Sequence, residues 1–161
     1  MSEEKAIKSN KYLTFSVDKE VFGLDIRNVD DIIGIQDITL VPEQPEYIKG
    51  VINLRGKIIP TMDVRARFKK EAREYDDRTC IVVLNMQSTS VGVIVDRVVE
   101  VIDIDEEQIA EPPRFTDDYQ SHYISGIGKI NEEIAMLLDC NKLLNYDQIE
   151  ALSHLQESEE A

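Results

Sequence analysis

The chain has 161 residues, 42% of them hydrophobic, enough for one domain or two small ones with a true core. Its 18 lysines and arginines face 32 aspartates and glutamates, and the net charge of -14 disfavours nucleic acid and anionic lipid as partners. No apolar run reaches membrane-spanning length, Met1-Ser2-Glu3-Glu4-Lys5 is not an apolar leader, and Cys80 and Cys140 lie in apolar runs as buried free thiols, so a cytoplasmic protein is expected.

Residues 1–10 are polar and read as a disordered tail. Leu13, Phe15 and Val17 alternate strictly and predict a first strand. Asp18-Lys19-Glu20 turns the chain, and Val21 to Ile26 returns as the second strand of a hairpin. Arg27-Asn28-Val29 reads as one turn of helix, Asp30 to Ile35 as a third strand, and Pro42 and Pro45 mark a loop. Val51-Ile52 and Ile58-Ile59 flank the turn Asn53-Leu54-Arg55-Gly56, where glycine supplies a positive φ. Asp63 is the expected N-cap of a short helix from Val64 to Phe68, and the charged, aperiodic residues 69–78 are the linker candidate.

The second half repeats the first. Val91 to Ile104 lies over Phe22 to Ile35 without a gap, at an offset of 69 residues, with Gly92 on Gly23 and Glu100 on Asp31. Tyr123-Ile124-Ser125-Gly126-Ile127 answers Tyr47-Ile48-Lys49-Gly50-Val51 at an offset of 76, and Asp139 falls on Asp63. A longer loop between Glu111 and His122 absorbs the difference. Cys80 is placed on Leu13 and Cys140 on Val64, as core residues. The expected fold class is all-β. Short strands with frequent turns suggest one small five-stranded barrel per copy, 11–70 and 78–146, with a two-sheet sandwich as the alternative. Short helices are expected at the linker and near the C-terminus, where Asp147 and Glu150 have capping-box spacing and Ile149 and Leu152 share a face. Residues 156–161 read as a disordered tail.

The exposed turn arginine has no partner in the second copy, where Gly128-Lys129-Ile130-Asn131-Glu132 occupies the turn. The fold therefore does not require it, which favours a contact role for Arg55. Chemistry is harder to find. His122 and His154 do not pair with the cysteines at metal-ligand spacing, and no nucleophile elbow or phosphate loop occurs. Gly126-Ile127-Gly128 lacks the third glycine of a dinucleotide fingerprint. Asp76-Asp77 and Asp117-Asp118 lie in polar loops as solvated charge, whereas Asp31 is either a structural acid or one that faces a partner. No catalytic residue, cofactor or metal is assigned. An enzyme or small-ligand barrel stays open only through a possible groove between the copies.

The stretches Phe22 to Ile26, Val29 to Gly34, Tyr47 to Pro60, Val93 to Asp96, Ile109 to Pro113, Leu137 to Asp139 and Lys142 to Leu144 resemble the CheW family of chemotaxis adaptors. The resemblance covers 11–146 as a single domain. It implies two SH3-like five-stranded barrels and a non-catalytic adaptor that links transmembrane chemoreceptors to the chemotaxis histidine kinase. The implied partners are the C-terminal regulatory domain of the kinase and the cytoplasmic hairpin of methyl-accepting receptors, docked in the groove between barrels. The protein would be cytoplasmic and recruited to membrane-associated receptor arrays. Carried over by motif, Val29, Asp31, Gly50 and Arg55 are the receptor-side residues, and Asp31 stands where many relatives have glutamate. The edge-strand residues Ile32, Ile33 and Leu40 are the kinase-side candidates. A scaffold for a different kinase pathway is the alternative reading.

Overall fold

A computed structural model describes residues 10–86, 88–112, 122–144, 148, 150 and 151. The strands are β1 (Lys11–Val17), β2 (Glu20–Asp25), β3 (Val29–Gly34), β4 (Ile48–Leu54), β5 (Lys57–Asp63) and β6 (Cys80–Met86), then β7 (Thr89–Val95), β8 (Arg97–Asp103), β9 (Ile109–Ala110), β10 (Ile124–Ile130) and β11 (Glu133–Leu138). Short helices run over Val64–Arg67 and Cys140–Leu143, and 3-10 turns over Ile26–Asn28 and Glu106–Gln108. Asp63 caps the first helix through the Arg65 N–H at 2.8 Å, and Asp139 caps the second through the Asn141 N–H at 2.9 Å, so the expected capping acids hold.

The duplication is present element by element. β4 lies over β10 and the first helix over the second, both at the offset of 76. β1 lies over β6 at the offset of 69. This register puts Cys80 on Lys11 and not on Leu13. Cys80 is half-exposed, its thiol donating to the Arg78 carbonyl at 3.3 Å, while Cys140 is buried. A slip of two residues preserves strand alternation, so apolar patterning could not detect it.

The sheets do not follow the sequence halves. One has the order β8-β1-β2-β11-β10-β9 and the other β3-β6-β7-β5-β4, so each draws strands from both copies. The expected division into 11–70 and 78–146 is therefore corrected: the β1–β2 hairpin pairs with β8 and β11 of the second copy, and β6–β7 pairs with β3 and β5 of the first. The repeat defines equivalent residues but not which of two equivalent partners a hairpin takes. The copies meet along two parallel pairs, Gly23 beside Leu137 and Gly92 beside Thr61, which are themselves equivalent. Neighbouring side chains crowd both glycines there. A Cβ at Gly92 would lie 2.8 Å from the Ile81 Cγ2 and 3.2 Å from the Thr61 Cγ2.

The main core lies between the sheets, with Leu13, Phe15 and Leu24 from one and Met62, Leu84 and Val93 from the other. An aromatic chain Phe15–Phe22–Phe68–Tyr123, with centroids 5.6, 5.2 and 5.5 Å apart, runs through it. Full burial of such a ring is worth about 1.5–3 kcal/mol. A second cluster of Ile52, Ile59, Ile81, Val83 and Ile94 fills the inside of the five-stranded sheet. Where the copies meet, the Arg67 guanidinium sits 4.3 Å from the ring of Tyr47 and 5.1 Å from that of its repeat-mate Tyr123.

The aperiodic residues 69–78 are irregular, as expected, but pinned. Arg65 Nε donates to the Glu71 carbonyl at 2.8 Å, the Tyr75 hydroxyl donates to Asp63 at 2.6 Å, and Arg73 donates to Asp96 at 3.1 Å. Asn10, assigned to the first tail, is held too: its carbonyl accepts from the Ile104 N–H at 2.8 Å. Gln148, Glu150 and Ala151 are helical. Asp117, Asp118, Asp147, Ile149, Leu152, His154 and the 156–161 tail lie outside the described residues.

Candidate functional site

The β4–β5 hairpin closes on two residues, Arg55 and Gly56, with φ of 53° and 86°. Positive φ at both central positions is the primed turn that matches strand twist. The Asn53 Oδ1 accepts from the Gly56 N–H at 2.8 Å and secures it. The left-handed region suits glycine and asparagine, and asparagine occupies the equivalent place, Asn131, with φ 55°. Arginine there carries a backbone cost of roughly 1 kcal/mol. The turn itself does not call for it.

Its side chain crosses to β3. Arg55 Nη2 donates to Asp31 Oδ2 at 2.9 Å, with the arginine side chain 75% exposed. The bond from Arg55, followed by one from the Ile32 N–H, holds the Asp31 carboxyl below the usual carboxylate range. β3 and β4 stand at opposite ends of the pairing order, so this contact requires the sheet to curl until its edges face each other. Two further contacts seal the same seam. Thr39 and Val51 exchange backbone bonds of 2.8 and 2.9 Å, and Gln36 Nε2 donates to the Asn53 carbonyl at 3.1 Å. In the other sheet, Ala110 faces Ile127, the repeat-mate of Val51.

The four receptor-side candidates separate here. Asp31 and Arg55 form one surface pair. Val29 is half-buried, opposite Leu84 on β6, and packs against the main core. Gly50 is buried at a bulge with φ 150°, and a Cβ on it would strike the Thr39 carbonyl. It therefore serves the seam through its backbone and offers no side-chain contact. Of the kinase-side candidates, Ile32 and Ile33 separate by parity on β3, while Leu40 lies after it, outside the named strands. Ile32 is 40% exposed and Leu40 79% exposed, whereas Ile33 packs inward against the second cluster. Adjacent residues on a strand face opposite sides, so one of Ile32 and Ile33 had to point in.

Sequence reasoning missed two features. Val99 and Val101 are exposed on the edge strand β8, and Val101 stands on the position of Ile32; the offset of 69 residues was the signal for it. The other is an ionic cluster. The buried Arg65 guanidinium contacts Asp96 at 2.7 Å and Asp18 at 2.8 Å, and Asp96 also accepts from Arg73 and from the Asp18 N–H. Asp18 reads locally as a plain turn acid.

Among the described residues no three His, Cys, Asp or Glu side chains converge as metal ligands. Burial pushes the Cys140 thiol up to about 11, which leaves it protonated and a poor nucleophile at neutral pH. Among the described residues no helix is long and apolar enough to cross a membrane.

Two interlocked sheets whose edge strands carry exposed apolar and ion-paired side chains define an all-β interaction module. The family model of the CheW-like domain matches residues 11–148, and the chain belongs to that family. It is 34% identical over 148 residues to the chemotaxis protein CheW of Klebsiella aerogenes, covering 92% of this chain and 89% of that one. It is 31% identical over 147 residues to the CheW of Treponema pallidum, covering 89% and 86%. The crystal structure of the scaffolding protein TtCheW from Thermoanaerobacter tengcongensis matches with a TM-score of 0.78 and 36% identity, over 88% of this chain and 96% of that one.

Proposed function

We propose that this chain is the non-catalytic adaptor that couples transmembrane chemoreceptors to the chemotaxis histidine kinase, acting in the cytoplasm at membrane-associated receptor arrays. The observation that carries the reading is the Arg55–Asp31 pair at 2.9 Å, presented on a strained turn beside an edge strand that exposes Ile32. The strain is accepted at a position where Asn131 shows that a relaxed residue fits. The names of the relatives point the same way.

In this reading Asp31 and Arg55 meet the cytoplasmic hairpin of the receptor, while Val29 and Gly50 hold the strand and the seam behind them. Ile32, with Ile33 anchoring its strand from inside, and Leu40, in the segment after that strand, meet the C-terminal regulatory domain of the kinase. An exposed apolar side chain beside a sealed edge suits packing against a partner surface. Holding both partners on one rigid body raises their effective concentration. Receptor state reaches the kinase only if the receptor contacts differ between signalling states, since coupling is a difference of binding free energies.

The test is a reconstituted assay of kinase activity with receptor-containing membranes. The wild-type chain should place the kinase under receptor control. Arg55→Asn should lose that control while remaining folded. Receptor-controlled activity that persists without the chain contradicts the proposal.

A further inference from the structure

Positive charge is strongly localised in this acidic protein. One cleft of about 540 Å³ is lined by Lys49, Arg65, Arg67, Lys69 and Lys70. A second, of about 330 Å³, is lined by Lys19, Arg73, Arg78 and Arg97. Together they take nine of the chain's 18 lysines and arginines but only four of its 32 acids, Glu46 and Asp63 in one and Asp18 and Asp96 in the other. The clefts are neighbours. Arg65 lines the first, and its guanidinium bonds Asp18 and Asp96, which line the second.

Internal pairing takes up Arg65, Lys70 and Arg73, through Asp18, Asp96, Glu20 and Asp76, but does not use up this charge. Lys19, Lys49, Arg78 and Arg97 form no ion pair with a carboxylate among the described residues. Arg67 donates to the Leu143 carbonyl and the Gln148 amide oxygen and stacks on two tyrosines, all neutral groups. In a chain with so large an excess of acid, unpaired cations gathered on two adjoining concavities form a face complementary to an anion.

We infer that these two clefts form a docking face for an extended, glutamate- or aspartate-rich segment of a partner protein. Two adjoining concavities accept side chains spaced along a strand, and a planar lipid surface would meet only their rims. Asp18, Asp63 and Asp96 in the walls, with the net charge of -14, oppose a dense polyanion such as nucleic acid more than a peptide whose carboxylates are spaced apart. None of Val29, Asp31, Ile32, Ile33, Leu40, Gly50 and Arg55 lines either cleft, so this face goes beyond the proposed receptor and kinase contacts.

The test titrates the full chain against fluorescein-labelled decaglutamate, with decaglutamine as the control peptide, by fluorescence anisotropy. Saturable binding to decaglutamate alone is expected, weakening steeply from about 50 to about 300 mM salt. Lys19→Glu/Arg97→Glu should weaken it by about tenfold. Lys129→Glu/Lys142→Glu makes the same change in net charge at exposed positions outside both clefts, and should leave binding within about twofold. Both variants should keep wild-type circular dichroism, since none of these four side chains is buried. Equal loss in the two variants, or no binding to decaglutamate, overturns the proposal. Cleft-dependent capture by phosphatidylglycerol vesicles without peptide binding reassigns the face to a membrane, and a cleft-dependent dimer in sedimentation without peptide binding reassigns it to self-association; either result overturns it too.

Discussion

Arg55 and Gly50 sit near each other in the chain and do opposite work. Arg55 occupies a left-handed turn position that its repeat-mate Asn131 fills with less strain. Arg55→Asn should therefore leave stability unchanged or raise it by up to about 1 kcal/mol in urea unfolding, while coupling is lost. Gly50 has no room for a side chain against the Thr39 carbonyl. Gly50→Ala should lower stability by about 1–3 kcal/mol in the same experiment, and its effect on coupling should follow from the opened seam. Arg55 was visible as a candidate in the turn, and Gly50 only through the family resemblance. Their difference was not, because only the curled sheet brings Thr39 to Gly50 and Asp31 to Arg55. Contacts 11 and 24 residues apart in the chain depend on sheet closure, which local pattern does not encode.

At the scale of elements, the strands were legible because alternation is a local property. Leu13, Phe15 and Val17 are all fully buried, as their period demands. The alternation failed where both faces of a strand are covered. β7 is buried along its whole length, and Thr14 is buried between them with its hydroxyl on the Glu100 carbonyl at 2.8 Å. The ionic cluster that joins the β1–β2 turn, the first helix and the β7–β8 turn was not legible, since its charges are far apart in sequence. It should contribute to the acid response. The hydrogen bond from Arg65 holds the Asp18 carboxyl below its ordinary value of 3.8. A native pKa below the unfolded one means that this stabilisation is complete above the ordinary value and is lost as pH falls through the lower, native one. The urea midpoint should thus decline below about pH 4, and Asp18→Asn should make that decline shallower. Asp96, which accepts from Arg65, Arg73 and the Asp18 N–H, matters more. Asp96→Asn should cost about 2–4 kcal/mol at neutral pH, read from the urea midpoint.

At the scale of the whole molecule, the duplication was readable and the exchange of hairpins was not. Equivalent hairpins present equivalent edges, so the sequence pattern is the same whether β1–β2 pairs within its copy or across. The exchange has a consequence for folding. A fragment of residues 10–77 retains β1 to β5 but loses β8 and β11, the strands flanking its first hairpin, and β6 and β7, which separate β3 from β5. It should show no dispersed amide spectrum, whereas two contiguous barrels would predict that each half folds alone. The exchange also ties two of the edge strands, β3 and β8, which are equivalent in the two copies, into one interlocked fold, which suits an adaptor between two partners.

The central claim is tested most directly by isothermal titration of the full chain with the C-terminal regulatory domain of the chemotaxis histidine kinase from the same genome. The account predicts saturable one-to-one binding that Ile32→Asp abolishes and Arg55→Asn leaves intact, with both variants folded. Absence of binding at high concentration, or binding indifferent to Ile32→Asp, would contradict it.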